Sequence, residues 1–178
     1  MTLDRLVPEE SPARAAVFVA ACVERAINIV SWAAALDGRP DDVAVYVEAL
    51  ELLWHHDVDD AQACRVKMAQ LEEMHEMTVA DELTGPPAYG LESVLVLHSG
   101  LGVVVEPTLA NLRDCSMAAR NGALHLEGLI PSQHLLSAEE RSQDEDIEAL
   151  LRGASGDELR DRARQVGRSR LNLVRSQF

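Results

Sequence analysis

An all-α fold is predicted by three observations on this 178-residue chain. Aromatic residues make up only 3% of a sequence that is 47% hydrophobic, so its core is built of Ala, Leu and Val. Such a core suits closely packed helices better than sheets, whose faces favour aromatic and β-branched residues. Apolar and small residues recur at i, i+3, i+4 over long runs, most clearly in Leu109, Leu112, Ser116, Ala119, Ala123, Leu126 and Ile130. Residues that start and stop helices bracket those runs. The expectation is an up-and-down helical bundle of about five main helices within residues 1–136. Residues 137–178 would form a charged extension of two short C-terminal helices.

The first helix is expected over residues 12–36, with Ser11 as its cap, Pro12 at its first position and Gly38 ending it in "LDGRPDD". Its segment "ARAAVFVAACVERAINIVSWAAAL" is long enough to cross a membrane. At about 100° per residue, however, Arg14, Glu24, Arg25, Asn28 and Ser31 fall in one stripe, which reads as a soluble amphipathic helix. Asp41 is expected to cap a second helix (41–55) and Asp57 a third (58–77), where Asp59 and Asp60 complement the positive helix N-terminus. "TGPPAYG" reads as a loop. The valines of residues 94–105 and the central Ser99-Gly100 would suit a hairpin. A helix over 90–105 is preferred because Val94, Leu97, Leu101 and Val104 make one helical face. A fifth helix is expected over 107–129. "IPSQHLLS" then breaks the chain, and Ser137 with Glu140, and Ser155 with Glu158, are spaced as capping boxes.

The order "CVERAINIVSWAAALDG", "VYVEALELLWHH", an acidic connection, an Ala-rich helix pair and "SMAARNGALH" resembles the helical bacterial domains of unknown function typified by the YjaG-like proteins. The resemblance covers roughly residues 13–128. It implies an all-helical bundle with no established enzymatic role.

The net charge of −14 is unevenly spread. From Arg152 onward seven Arg stand against Asp157, Glu158 and Asp161, a surplus of +4, so the rest of the chain carries −18. Residues 41–92 alone hold thirteen Asp and Glu against Arg65 and Lys67. A body that acidic repels nucleic acid phosphates. Cys22, Cys64 and Cys115 are widely spaced with no C-x-x-C pair, and the N-terminal segment lacks a basic n-region, so a reducing cytoplasm without a signal peptide is expected.

"LELLWHHDVDDAQ" has the residue types of a metal or acid/base site. On a helix, Glu48, Glu51 and His55 share the solvent stripe, and His56 lies about 100° away, so the two imidazoles do not converge. Glu51 and His55 are correctly spaced for two ligands, and Glu72 with His75 forms an E-x-x-H of the kind used by di-iron bundles. Those four define an alternative reading as a helical-bundle metalloenzyme. The preferred reading has no catalytic residue and no cofactor, because the sequence has no second E-x-x-H. It makes His75 the wet end of a seam with Cys64, Met68 and Leu71, with Glu72 and Glu76 beside it on the surface. His98, between Val94, Leu101 and Val105, reads as a core histidine satisfied by a backbone carbonyl or hydroxyl, and His125 as exposed.

Arg160, Arg164 and Arg168 share one stripe of the C-terminal helix. Binding of RNA or an anionic membrane is one use; folding onto the chain's own acidic body, or that of a second subunit, is preferred because aromatic residues for base stacking are absent apart from Phe178. The function expected is that of a non-enzymatic cytoplasmic interaction protein, in the manner of an immunity or inhibitor protein. It would receive a basic partner at Asp59, Asp60, Glu72 and Glu76. A structural homo-oligomer held by the arginine tail is a further alternative.

Overall fold

The computed structural model describes residues 3–55, 60–79 and 84–177, and every regular element among them is helical. After a short 3-10 turn at Leu3–Arg5 come α1 (Pro12–Leu36), α2 (Pro40–Trp54), α3 (Ala61–Glu72), α4 (His75–Thr78), α5 (Pro86–Val105) and α6 (Leu109–Leu129). A second 3-10 turn at Pro131–Gln133 leads into α7 (Leu135–Leu151) and α8 (Gly156–Arg175). Residues 94–105 are helical, as preferred over the hairpin alternative.

The central helix is α1, which packs against α2, α5, α6, α7 and α8. Pro12 starts it without leaving an amide unsatisfied. It ends at Gly38, whose φ of +67° costs a side-chain-free residue little. Phe18, Val19, Val23 and Val30 are fully buried, and each such side chain contributes roughly 1.5–3 kcal/mol when removed from water. Helix α5 lies alongside with Val94, Leu97 and Leu101 inward. A Cβ on Gly100 would sit 3.3 Å from both Leu53 Cδ1 and Val23 Cγ2, so the Ser-Gly step marks a close helix approach and not a turn. In α6 the predicted stripe is inward, with Leu112, Ser116, Ala119, Ala123, Leu126 and the following Ile130 all buried. Its start is capped by the Thr108 hydroxyl, which accepts from the Asn111 amide at 3.2 Å. By length and composition alone α1 and α5 could cross a membrane. Here both supply the interior of the fold.

Several expected boundaries are corrected. The third helix does not run to residue 77: α3 stops at Glu72, Met74 is extended and buried, and α4 begins a new direction. Asp41 lies inside the first turn of α2, which opens at Pro40 after Arg39. The proposed cap Asp57 lies outside the described residues, as do His56 and Asp59. Ser137 and Glu140 form no capping box, because α7 already begins at Leu135 after a left-handed His134. The Ser155–Glu158 box is present in both directions. The two C-terminal helices are not short, at 17 and 20 residues. They also supply Ile147, Leu150 and Leu159 to the main core.

Candidate functional site

Within the polar stripe of α1, Glu24 and Arg25 are turned inward beneath α7 and α8, whereas Arg14 is exposed. Glu24 and Arg25 are 4% and 1% exposed. The covering helices carry complementary residues: Glu139, Gln143 and Asp146 follow one another at helical spacing on the core side of α7, and α8 brings arginines. Arg25 reaches α7 through both edges of its guanidinium. Its Nε donates to Glu139 Oε2 at 3.0 Å, its Nη2 to Glu139 Oε1 at 2.9 Å and its Nη1 to Asp146 Oδ2 at 2.6 Å. From α8, Arg170 Nη2 donates to Glu139 Oε2 at 2.8 Å, and Arg162 pairs with Asp146 Oδ1. Gln143 ties this cluster to α6: its Nε2 donates to Glu139 Oε1 and to the Ser116 carbonyl, and its Oε1 accepts from the Ser116 hydroxyl at 2.7 Å.

Burial alone would push the Glu139 carboxyl up, but Arg25 and Arg170 outweigh it and hold it at about 2. For Arg25, burial favours the neutral form, yet Glu139 above all raises its pKa well past the usual value. Glu139 and Arg25 are therefore each held in the ionised form by the other. Burial also pushes the adjacent Cys22 thiol well up, and Cys115 to about 12, so neither supplies a thiolate nucleophile.

A second charge group lies where α1, α2 and α8 meet. Glu24 accepts from the Trp54 indole N–H at 2.7 Å and from Arg164 Nε at 3.0 Å, and pairs with Arg160 Nε at 3.4 Å. Arg160 also pairs with Glu51 and lies 5.5 Å from the centroid of the Trp54 ring. The helices approach closely here: a Cβ on Gly167 would lie 2.9 Å from Asn28 Nδ2, 3.0 Å from the Arg25 carbonyl and 3.1 Å from the Glu24 carbonyl. Of the arginine stripe, Arg160 and Arg164 pair within the chain with Glu24, whereas Arg168 is exposed.

The expected partner-binding residues separate. Asp60 is half-buried at the start of α3, and Glu72 is exposed and lies 3.1 Å from His98 Nε2. Glu76, expected on the surface, is completely buried: Arg39 Nη2 meets its Oε1 at 2.5 Å and Arg39 Nη1 donates to its Oε2 at 2.9 Å. The break at Glu73–Met74 is the reason, since it rotates Glu76 off the face it would share with Glu72 in a continuous helix. His98 is also corrected: it is partly exposed, and its partner is a carboxylate and not the expected core group. His125 is exposed as expected, 3.5 Å from Glu92 Oε1. The alternative metal ligands remain apart as pairs: Glu51 lies 3.3 Å from His55, Glu72 turns to His98, and His75 is exposed. Among the described residues no three His, Cys, Asp or Glu side chains converge as metal ligands.

Beside the buried cluster, Cys22, Tyr89, Ser93, Gly122 and Arg170 line a cavity of about 20 Å³, room for a single water molecule. The sequence did carry a signal for the cluster: a Glu-Arg pair at the centre of an otherwise apolar helix, and polar residues at the core spacing of a helix 114 residues later in the chain. No family model matches the chain, and no curated protein or solved structure matches it either.

Proposed function

We propose that this chain is a non-enzymatic cytoplasmic interaction protein that receives a basic protein partner on its α2–α3 face. The observation that carries this reading is the internal use of the arginine helix. Because Arg160, Arg162, Arg164 and Arg170 are spent on Glu24, Glu51, Asp146 and Glu139, they do not offset the carboxylates elsewhere on the surface. On α2 and α3 those include exposed Asp41, Glu48 and Glu72, followed by exposed Glu73. Lys67 is tied to Glu48 at 2.6 Å. Exposed Val47 and Val66 adjoin that bridge in the chain, one on each helix, and give a partner an apolar foothold among the acids. Glu76 is withdrawn from the binding set, and Asp59 lies outside the described residues.

Consecutive helices pack on one another through α1, α2 and α3 and through α5, α6 and α7, consistent with an up-and-down arrangement. Membership of the YjaG-like bacterial domains is part of the same proposal and rests on the sequence segments alone; that resemblance implies no enzymatic role. The test is capture from the native host on immobilised protein. A basic protein released by salt, and lost when Glu48, Glu72 and Glu73 are changed to lysine, supports the reading. An acidic or neutral partner unaffected by those changes contradicts it.

A further inference from the structure

We propose that the face of α1 beneath α8 is an acidic groove for an arginine-bearing helix of a partner protein, with α8 as its displaceable occupant in cis. The groove is separate from the α2–α3 face and does not depend on it.

Helix α8 packs chiefly against a single neighbour, α1. Its fully buried apolar contribution is small, consisting of Leu159, Ala163 and Val174. Leu171 and Leu173 pack in part against the cluster around Ile29, and its polar hold is arginine to carboxylate on three different helices: Arg160 and Arg164 to Glu24 of α1, Arg160 also to Glu51 of α2, and Arg162 and Arg170 to Asp146 and Glu139 of α7. The pairs differ in their exposure to solvent. Arg162 and Arg164 are each 39% exposed, so salt screens them, while the Arg170–Glu139 pair is sealed. Detachment of α8 leaves Glu24, Glu51, Glu139 and Asp146 facing one groove with Arg25 as their internal counter-charge. That surplus of negative charge, lying along an apolar helix, calls for another cationic helix.

The register of α8 specifies what the groove accepts. Ala163 and Gly167 place two small residues four apart against α1, where the Gly167 position meets the Glu24 and Arg25 carbonyls too closely for a side chain. Taking the first small residue as i, arginines stand at i−3, i−1, i+1 and i+7. An amphipathic helix with small residues at i and i+4 and arginines at those offsets is the partner class.

The test uses the full chain and a fluorescein-labelled peptide of its own residues 154–177 as probe. Anisotropy is read against the natural protein and against Arg160→Gln/Arg164→Gln, which leaves the sealed Arg170 pair intact. The apparent affinity is expected to be at least about tenfold tighter for the variant, because it scales with the fraction of molecules whose groove is open. Binding should weaken with salt and be lost when the peptide carries Gly167→Leu. Hydrogen exchange of the natural protein, which needs no variant, should show α8 amides opening ahead of those of α1. Equal binding to both proteins, no binding to either, retained binding of the Gly167→Leu peptide, or opening of α8 only together with α1 would each overturn the proposal. Doubling of mass through exchange of α8 between two copies would overturn its assignment to a foreign helix.

Discussion

Arg25 of α1 and Glu139 of α7 form a two-pronged ion pair, Nε to Oε2 and Nη2 to Oε1, with both side chains 1% exposed. A pair so fully removed from water adds little net stability, because desolvation of the two ions offsets their attraction. Removing one member is another matter. Arg25→Met leaves buried Glu139 to Arg170 alone and Asp146 to Arg162 alone, and urea unfolding should report a loss of about 3 kcal/mol. Replacing Arg25, Glu139, Asp146 and the buried Arg170 together by apolar residues of similar size should recover most of that loss.

Acid should release the same cluster. The Glu139 carboxyl is held at about 2 against an ordinary value near 4.5, so the folded state favours its ionised form. With the folded pKa depressed, the stabilisation is complete above the ordinary carboxylate range. It is lost progressively as pH falls through that range towards 2, and should amount to roughly 3 kcal/mol in all. Thermal melts between pH 6 and pH 2 should show this loss, and Glu139→Gln should flatten the part of the curve that Glu139 contributes.

Two glycine substitutions should have opposite signs. Gly167→Ala drives a methyl group against the α1 backbone, so α8 must shift, and a loss of about 1–3 kcal/mol is expected. Gly102→Ala meets nothing within 4 Å inside α5, and should gain about 0.5–1 kcal/mol from helix propensity. Calorimetric melting temperatures of the two variants check both signs.

The correction at α4 yields a matched pair of charge changes. Glu73→Lys alters an exposed position and should change stability by no more than about 0.5 kcal/mol. Glu76→Gln removes the buried charge that Arg39 pairs with, leaving Arg39 to Asp37 and Asp42, and should cost about 1–3 kcal/mol. Equal effects in denaturant melts would mean that Glu76 shares the surface with Glu73.

The helices of this chain were legible where apolar spacing runs unbroken. In α6 the stripe from Leu112 to Leu126 could be read directly, because every third or fourth side chain enters the core. In α5 the same spacing outweighed the valines that suggested a hairpin. Glu24 and Arg25 were misread for a physical reason: helical periodicity places charges on one face but does not say what covers that face. Their cover comes from Glu139, Asp146 and Arg170, far along the chain and ordinary in themselves. Glu76 was misread because periodicity carried α3 past Glu73, whereas the extended Met74 resets the helix direction. The arginines of α8 showed their spacing and charge, but only the packed fold pairs Arg160 and Arg164 with Glu24.

The most direct measurement of the functional account is the association rate of the captured basic partner by stopped flow, as salt is raised from low to physiological strength. The natural protein and Glu48→Lys/Glu72→Lys/Glu73→Lys would be compared. Steering by exposed carboxylates acts through solvent and is screened over about 8–10 Å near physiological salt. The account predicts a steep fall of the rate with salt for the natural protein, and a rate for the variant about tenfold or more lower at low salt, with little change in its melting temperature. A variant that associates as fast as the natural protein at low salt would contradict it.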